Sequence, residues 1–303
     1  MEDPIESLRL RVKMDSPDQG DKKGITCIPK RIKRRIKPMV DTIAVSLNVS
    51  MILFFYFFDV FYVMPQFLGI FGLAVHFVVS TWLTYNILGN LRACTKTSNT
   101  MDTLPPEMLK PAEGEESLWH FCDLCQRTVP PRSWHCKTCS TCILKRDHHC
   151  NFVGNCVGHN NQRYFMWFSF YAMIGSGLAL YDNLLYAHKH GVELFDIFTM
   201  HFILFAEFMN PSAHDLLGQF IIRLILTMNI FAIVFPGALF ISQIVVIRNN
   251  SVMHSTSDRT YNLGLWENFA QVLGRRRFWT CLSPSIKSPL SHNGTQWKSK
   301  NTA

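Results

Sequence analysis

Long apolar blocks separated by polar stretches dominate the chain. The first block runs from about Met39 to Met64 and the second from about Phe67 to Leu91, with a short uncharged link at Pro65 and Gln66. A third covers Tyr164 to Ala187, and a fourth, Leu224 to Ile247, carries no charge and is bracketed by Arg223 and Arg248. A helix needs roughly 20 apolar residues to cross a bilayer core, and residues 224–247 would rise about 36 Å as a helix. Each block is therefore long enough to span, and the first two form a membrane hairpin. Pro236 and Gly237 predict a kink in the fourth, tolerated where neighbouring helices satisfy the freed backbone groups.

Between the third and fourth blocks lies Val192 to Met209, apolar but interrupted by Glu193, Asp196, His201 and Glu207. Its uncharged core, Ile197 to Ala206, is too short to cross unaided. It predicts a lumenal or re-entrant amphipathic segment, with Phe195, Phe198, Phe202 and Phe205 on its apolar face. The expected fold is an α-helical polytopic membrane protein with four transmembrane helices and a cytosolic cysteine-rich domain between spans two and three. The boundaries that follow are a basic N-terminal tail at 1–38, a transmembrane hairpin at 39–91, a linker at 92–117, the cysteine-rich segment at 118–163, a second membrane region at 164–247 and a C-terminal tail at 248–303.

Orientation comes from the basic residues. The run KRIKRRIK, Lys30 to Lys37, precedes span one; Arg92, Lys96, Arg132, Lys137, Lys145, Arg146 and Arg163 lie between spans two and three; Arg248, Arg259 and Arg275 to Arg277 follow span four. Lysine and arginine mark cytosolic flanks, which places both tails and the cysteine-rich segment in the cytosol. The formal charge of +8 thus reads as attraction to an anionic membrane surface, not to nucleic acid. The polar N-terminus, MEDPIESLRL, predicts no cleaved signal peptide. The tail before Met39 is expected to be disordered or to form an interfacial helix.

Seven of the ten cysteines fall between Cys122 and Cys156, interleaved with histidines. Three C-x-x-C steps occur, at Cys122/Cys125, Cys136/Cys139 and Cys139/Cys142. That spacing supplies two ligands of a tetrahedral zinc site, and thiols in the cytosol stay reduced. Two zinc sites need eight ligands, so histidine must contribute or one cysteine must be left for other work. The tetrad Asp147-His148-His149-Cys150 has two readings on spacing alone. It holds the parts of an activated thiol, with an imidazole to take the proton and a carboxylate to orient it; equally, all three of His148, His149 and Cys150 can be zinc ligands or scaffold. A RING-like ubiquitin ligase would need a longer gap between its second and third ligand pairs. A non-enzymatic zinc-module adaptor would keep its metal with no chemistry at Cys150.

The segment resembles the cysteine-rich domain of DHHC-type palmitoyltransferases. The likeness rests on Cys122, Cys125, Pro130, Arg132, His135, Cys136, Cys139, Cys142, Asp147 to Cys150, Asn155, Cys156, Gly158 and Asn161, and the membrane layout over residues 39–275 is similar. The resemblance implies two structural Zn2+ sites, one of Cys122, Cys125, His135 and Cys142, the other of Cys136, Cys139, His149 and Cys156. It leaves Cys150 as nucleophile, His148 as its general base and Asp147 as the group orienting His148. It implies acyl-CoA, such as palmitoyl-CoA, as co-substrate, and proteins with membrane-proximal cysteines as acceptors. The bilayer is then a partner, and the endoplasmic reticulum or Golgi the expected location. Departures from the pattern are Asn151-Phe152 in place of Pro-Trp, Gly154 in place of Asn, no Asp-Pro-Gly after span two, and only Ser255-Thr256-Ser257-Asp258 as an echo of a C-terminal Thr-Thr-x-Glu. Tyr261 to Gly264 with Asn268 and Phe269 resemble the family's C-terminal element, or form an ordinary amphipathic turn.

Single residues carry weaker signals. Cys94 is a juxtamembrane cysteine open to acylation or simply structural. His76, within span two, predicts a hydrogen bond inside the bundle. Gly175, Ser176 and Gly177 either let helices approach closely or widen a lipid cavity. Asn48 heads a glycosylation sequon inside span one, where it would go unused. Lys145 and Arg146 flank the tetrad, either steering coenzyme A phosphates or forming a solvated basic patch.

Overall fold

The structure is a computed structural model that describes residues 30–199, Met209 and 216–299. Among the described residues the longer α-helices are α1 (Lys30–Phe58), α2 (Ile70–Lys96), α3 (Gln162–Lys189), α4 (Leu216–Asn249) and α5 (Leu265–Leu273). Among the described residues three stretches are long and apolar enough to cross a membrane, Met39–Gln66, Ile70–Lys96 and Leu217–Asn249. They match the first, second and fourth blocks of the sequence. The third block lies in α3, which has 28 residues and falls short in apolar character because Tyr, Trp, Ser and Gly dilute its apolar run. The basic residues from Lys30 onward, good helix formers, extend α1 instead of forming a separate tail. The rest of the predicted tail lies outside the described residues.

Two compact units divide the chain, Met1–Asn48 with Gly89–Met166 and Ser242–Ala303, and Val49–Leu88 with Trp167–Ile241. In the second unit α1 gives way to a wide turn at Asp59–Val63 and a tight one at Met64–Gln66, where Pro65 ends the helical ladder. Several polar side chains here find partners, as an apolar solvent demands. His76 Nε2 lies 2.8 Å from Asp182 Oδ2, the bundle hydrogen bond the sequence predicts. Asn183 Nδ2 donates to Asp59 Oδ1 at 3.0 Å, and the Tyr62 and Tyr186 hydroxyls meet at 3.3 Å. A Cβ on Gly175 would lie 3.0 Å from Ile87 Cδ1, whereas one on Gly177 would meet nothing within 4 Å; close approach is therefore a property of Gly175 alone. Helix α4 stays continuous through Pro236. In the segment after α3, Leu194–Thr199 forms a short 3-10 helix. Its Asp196 pairs with Arg223 at 3.7 Å, and Phe195 and Phe198 are exposed. Residues 200–208, with His201, Phe202, Phe205 and Glu207, lie outside the described residues.

The first unit carries the cysteine-rich segment as three antiparallel hairpins of three-residue strands: β1 (His120–Cys122) with β2 (Arg127–Val129), β3 (Trp134–Cys136) with β4 (Thr141–Ile143), and β5 (His148–Cys150) with β6 (Asn155–Val157). Isolated hairpins of this size are marginal at best, so their order must come from elsewhere. Asparagines tie them to the end of α2. Asn155 Nδ2 reaches the carbonyls of Cys94, Thr95 and Thr97 at 2.9–3.1 Å, acceptors that a helix terminus leaves unpaired. Asn161 Nδ2 donates to the Cys94 and Cys156 carbonyls, and its Oδ1 accepts from the Gly158 N–H. Cys94 is fully buried beneath this cap, which fits the structural reading of that cysteine.

Gly158 is fixed by contact. A Cβ there would sit 2.6 Å from the Leu144 carbonyl oxygen, and backbone cannot move aside cheaply. Gly158→Ala should lower stability by about 1–3 kcal/mol, read as a lower melting temperature of the detergent-solubilised protein. Gly177→Ala should leave the melting temperature unchanged.

Candidate functional site

Strand alternation organises the site. Successive side chains on a strand point to opposite faces, so the neighbours His135 and Cys136 on β3 are sent apart, as are His149 and Cys150 on β5. The register pairs His135 with Cys142 and His149 with Cys156. Each His–Cys pair thus forms one side of a cluster, and a C-x-x-C knuckle from the preceding hairpin completes it. The ligand atoms of Cys122, Cys125, His135 and Cys142 lie within 4.8 Å of one another, as do those of Cys136, Cys139, His149 and Cys156.

The donor atoms suit a tetrahedral ion. His135 Nδ1 is 3.2 Å from Cys125 Sγ, and His149 Nδ1 is 3.4 Å from Cys139 Sγ. The Cys125–Cys142 and Cys139–Cys156 sulfur pairs are each 3.5 Å apart. Sulfurs around a zinc ion at its usual bond length sit about 3.7 Å apart. His149 Nε2 faces Asp41 Oδ1 at 3.3 Å, the kind of outer partner that fixes a ligating imidazole. Both clusters can hold a metal ion, and the described cysteines form no disulfide.

The same alternation puts His148 and Cys150 on the face of β5 turned away from the cluster. His148 is hydrogen-bonded to Cys150. Its Nδ1 is 2.9 Å from Asp147 Oδ2, and its ring meets the Phe165 ring edge-on at 5.0 Å. Burial alone would depress the His148 imidazole, but its bonds to Asp147 and Cys150 raise its pKa to about 9. Asp147 is nearly inaccessible. Burial pushes its carboxyl up, and hydrogen bonds from His148, Gln243 and the Met253 backbone more than offset this, holding it below the usual carboxylate value.

Two of Asp147's donors come from beyond the cysteine-rich segment. Gln243 Nε2, from α4, donates to Oδ2 at 2.8 Å, and the Met253 N–H donates to Oδ1. Arg132 holds that second donor's segment in place. Its guanidinium donates to Asn250 Oδ1 and to the carbonyls of Asn250 and Ser251 at 2.7–3.1 Å, and it stacks on the Tyr261 and Trp297 rings at 4.7 and 4.2 Å. The C-terminal segment therefore reaches the tetrad through Met253, ahead of the Ser255–Asp258 echo. Helix α5 is anchored by Asn268, whose Nδ2 donates to the Arg248 carbonyl and to Asn262 Oδ1.

Lys145 departs from both readings of its sequence. It is buried, and its Nζ donates to Gln162 Oε1 at 2.8 Å. A left-handed turn at Lys145, φ 43°, directs the side chain inward, away from solvent and from any phosphate. Sequence reasoning missed Gln243, Gln162 and Met253 altogether. A lone glutamine in the otherwise uncharged run 224–247 was the available signal; a backbone donor such as Met253 leaves none.

The family model described as DHHC palmitoyltransferase matches residues 115–261. That stretch of the chain is a DHHC palmitoyltransferase domain. The chain's similarity extends beyond the matched domain. It is 26% identical over 226 residues to the Probable palmitoyltransferase ZDHHC24 of Rattus norvegicus, covering 73% of this chain and 77% of the relative. It is 32% identical over 185 residues to the Danio rerio protein of the same name, covering 59% and 62%. It is 33% identical over 165 residues to Probable protein S-acyltransferase 13 of Arabidopsis thaliana, covering 52% and 50%. The activity of this DHHC protein is protein S-palmitoyl transfer.

Arg132 gives a test of how this palmitoyltransferase fixes the Met253 donor. Lysine keeps the charge but loses the fork and the stacking. Arg132→Lys should cost about 1–3 kcal/mol, seen as a lower melting temperature and faster trypsin cleavage after Arg259. Arg259→Lys, at an exposed position, should leave the melting temperature unchanged.

Proposed function

We propose that this palmitoyltransferase works in two steps through an acyl-Cys150 intermediate. The observation that carries the reading is the shared face of β5: His148 and Cys150 lie side by side, and Asp147 holds the far nitrogen of His148. His148 takes the Cys150 thiol proton, and the thiolate attacks the thioester carbonyl of acyl-CoA. The carbon–sulfur bond to coenzyme A breaks, and the coenzyme A thiolate leaves with a proton from His148. A cysteine of a substrate protein, deprotonated in turn by His148, then attacks the acyl-Cys150 carbonyl and releases the Cys150 thiol. One thioester replaces another at each step, so catalysis consists of thiolate generation and placement. Asp147 is the orienting group and stays ionised throughout.

Two Zn2+ ions, one in each Cys3His cluster, would be structural, with all four positions of each filled by protein ligands and none open to water. Their contribution is to hold β3, β4, β5 and β6 in register, so metal loading and folding are coupled. Acyl-CoA is the co-substrate, and the acceptors are proteins with membrane-proximal cysteines. The expected setting is the endoplasmic reticulum or Golgi membrane with the cysteine-rich segment in the cytosol.

Purified protein incubated with labelled acyl-CoA should carry hydroxylamine-sensitive label on Cys150. Cys150→Ser keeps all eight proposed ligands, so it should bind about two zinc ions per chain and take no label; undiminished label would sink the assignment. His148→Ala should slow acylation with metal retained, whereas His149→Ala should lose metal and stability.

The proposal includes α3 as the third of four spans. Two crossings after the cysteine-rich segment, α3 and α4, return the chain to the cytosol, as the basic residues from Arg248 onward require. An engineered glycosylation sequon near residue 189 should be modified in microsomes and one appended after residue 303 should not. Modification of the appended site would show an odd number of crossings.

A further inference from the structure

A continuous line of buried hydrogen bonds leads away from the catalytic carboxylate. Gln243 Nε2 donates to Asp147 Oδ2 at 2.8 Å, Gln162 Nε2 donates to Gln243 Oε1 at 3.0 Å, and Lys145 Nζ donates to Gln162 Oε1 at 2.8 Å. All four side chains are at most 4% exposed. Beyond Lys145 the Trp297 ring closes the end, its centroid 5.6 Å from Nζ.

The direction of every bond in this line follows from its last member. An ionised carboxylate only accepts. Gln243 must therefore turn its amide NH2 toward Asp147, which leaves its oxygen facing Gln162. Gln162 must then donate to that oxygen, which leaves its own oxygen facing Lys145, and Lys145 must donate. Neither amide can flip without setting oxygen against oxygen. Hydrogen bonds arranged head to tail in this way polarise one another, and a buried network has one low-energy arrangement only when every member is satisfied.

We propose that Lys145, Gln162 and Gln243 are positioning residues for the acyl transfer, a one-way hydrogen-bond chain that fixes the rotamer of Asp147 and through it the ring of His148. Asp147 Oδ2 serves two donors at once, Gln243 and His148 Nδ1. The glutamine thus sets the oxygen on which the histidine turns. Without it the carboxylate keeps its Met253 bond at Oδ1 but is free to swing Oδ2, and the imidazole loses its fixed bearing on Cys150. The chain also gives Lys145 a reason to be buried, which neither phosphate steering nor a solvated patch supplies. This inference rests on the assignment of Asp147, His148 and Cys150 made above.

The test uses the full-length protein in detergent, with labelled palmitoyl-CoA as donor. Gln243→Leu should slow acylation of Cys150 on the order of ten- to a hundredfold, with the KM for palmitoyl-CoA and the metal content unchanged. Alkylation of Cys150 by iodoacetamide, read by peptide mass spectrometry without palmitoyl-CoA, should slow in parallel while the six ligand cysteines stay protected. Gln243→His, which retains an N–H donor, should recover most of the rate. Lys145→Met should slow acylation and Lys145→Met/Gln162→Lys, which moves the terminal donor one link inward, should restore it. A wild-type rate in Gln243→Leu, or Gln243→His as slow as Gln243→Leu, would overturn the chain. So would loss of metal or of cysteine protection in Gln243→Leu, since the residue would then hold the fold and not the histidine. Label on Cys150→Ser would instead overturn the nucleophile itself, separating the two failures.

Discussion

The alternation of side chains along a strand is the constraint on which the rest of this molecule depends. A three-residue strand has room for one side chain on one face and two on the other. On β5 the single side chain is His149, committed to a metal cluster, and the pair is His148 and Cys150. The proposed division of labour between ligand and nucleophile is thus a property of the pleat. Shifting the register by one residue would exchange the faces, sending Cys150 into the cluster and His149 out. Register matters so much, and these strands are so short, that metal coordination and the asparagine ties must do what ladder hydrogen bonds do in a larger sheet.

Interleaving makes the two clusters interdependent. The central hairpin gives His135 and Cys142 to one and Cys136 and Cys139 to the other. Neither cluster is built from a single hairpin, so an ion bound in either would also brace the shared one. The reacting face takes its rigidity from both. Its electrostatics come from elsewhere, through donors on Asp147 that arrive from α4 and from the chain after it.

Much of this was legible in the sequence because it depends on local spacing. Apolar block length gave the long helices, the C-x-x-C steps announced metal ligands, and the family resemblance divided those ligands into two clusters. His76 announced its hydrogen bond because a polar group in an apolar span needs a partner. What was not legible depends on where the chain turns. Lys145 looks like a surface lysine until its left-handed backbone sends it inward. Gln162 and Gln243 are 81 residues apart in sequence and no pattern links them. The Ser255–Asp258 echo drew attention two residues past the true contact, because a backbone N–H from any residue type can serve. The third block predicted a span on length, while its aromatic and small residues leave α3 less apolar than the other three.

The cap on α2 has a consequence for biogenesis. The carbonyls at the end of that helix are satisfied by Asn155 and Asn161, which flank Cys156 and so leave the ribosome only as the last cysteine of the two clusters is made. The end of helix α2 therefore waits, frayed, until the hairpins that carry those asparagines have folded. If the clusters hold zinc as proposed, a shortage of the ion would show as a fault at the end of this helix, and not only as an enzyme with a slow active site.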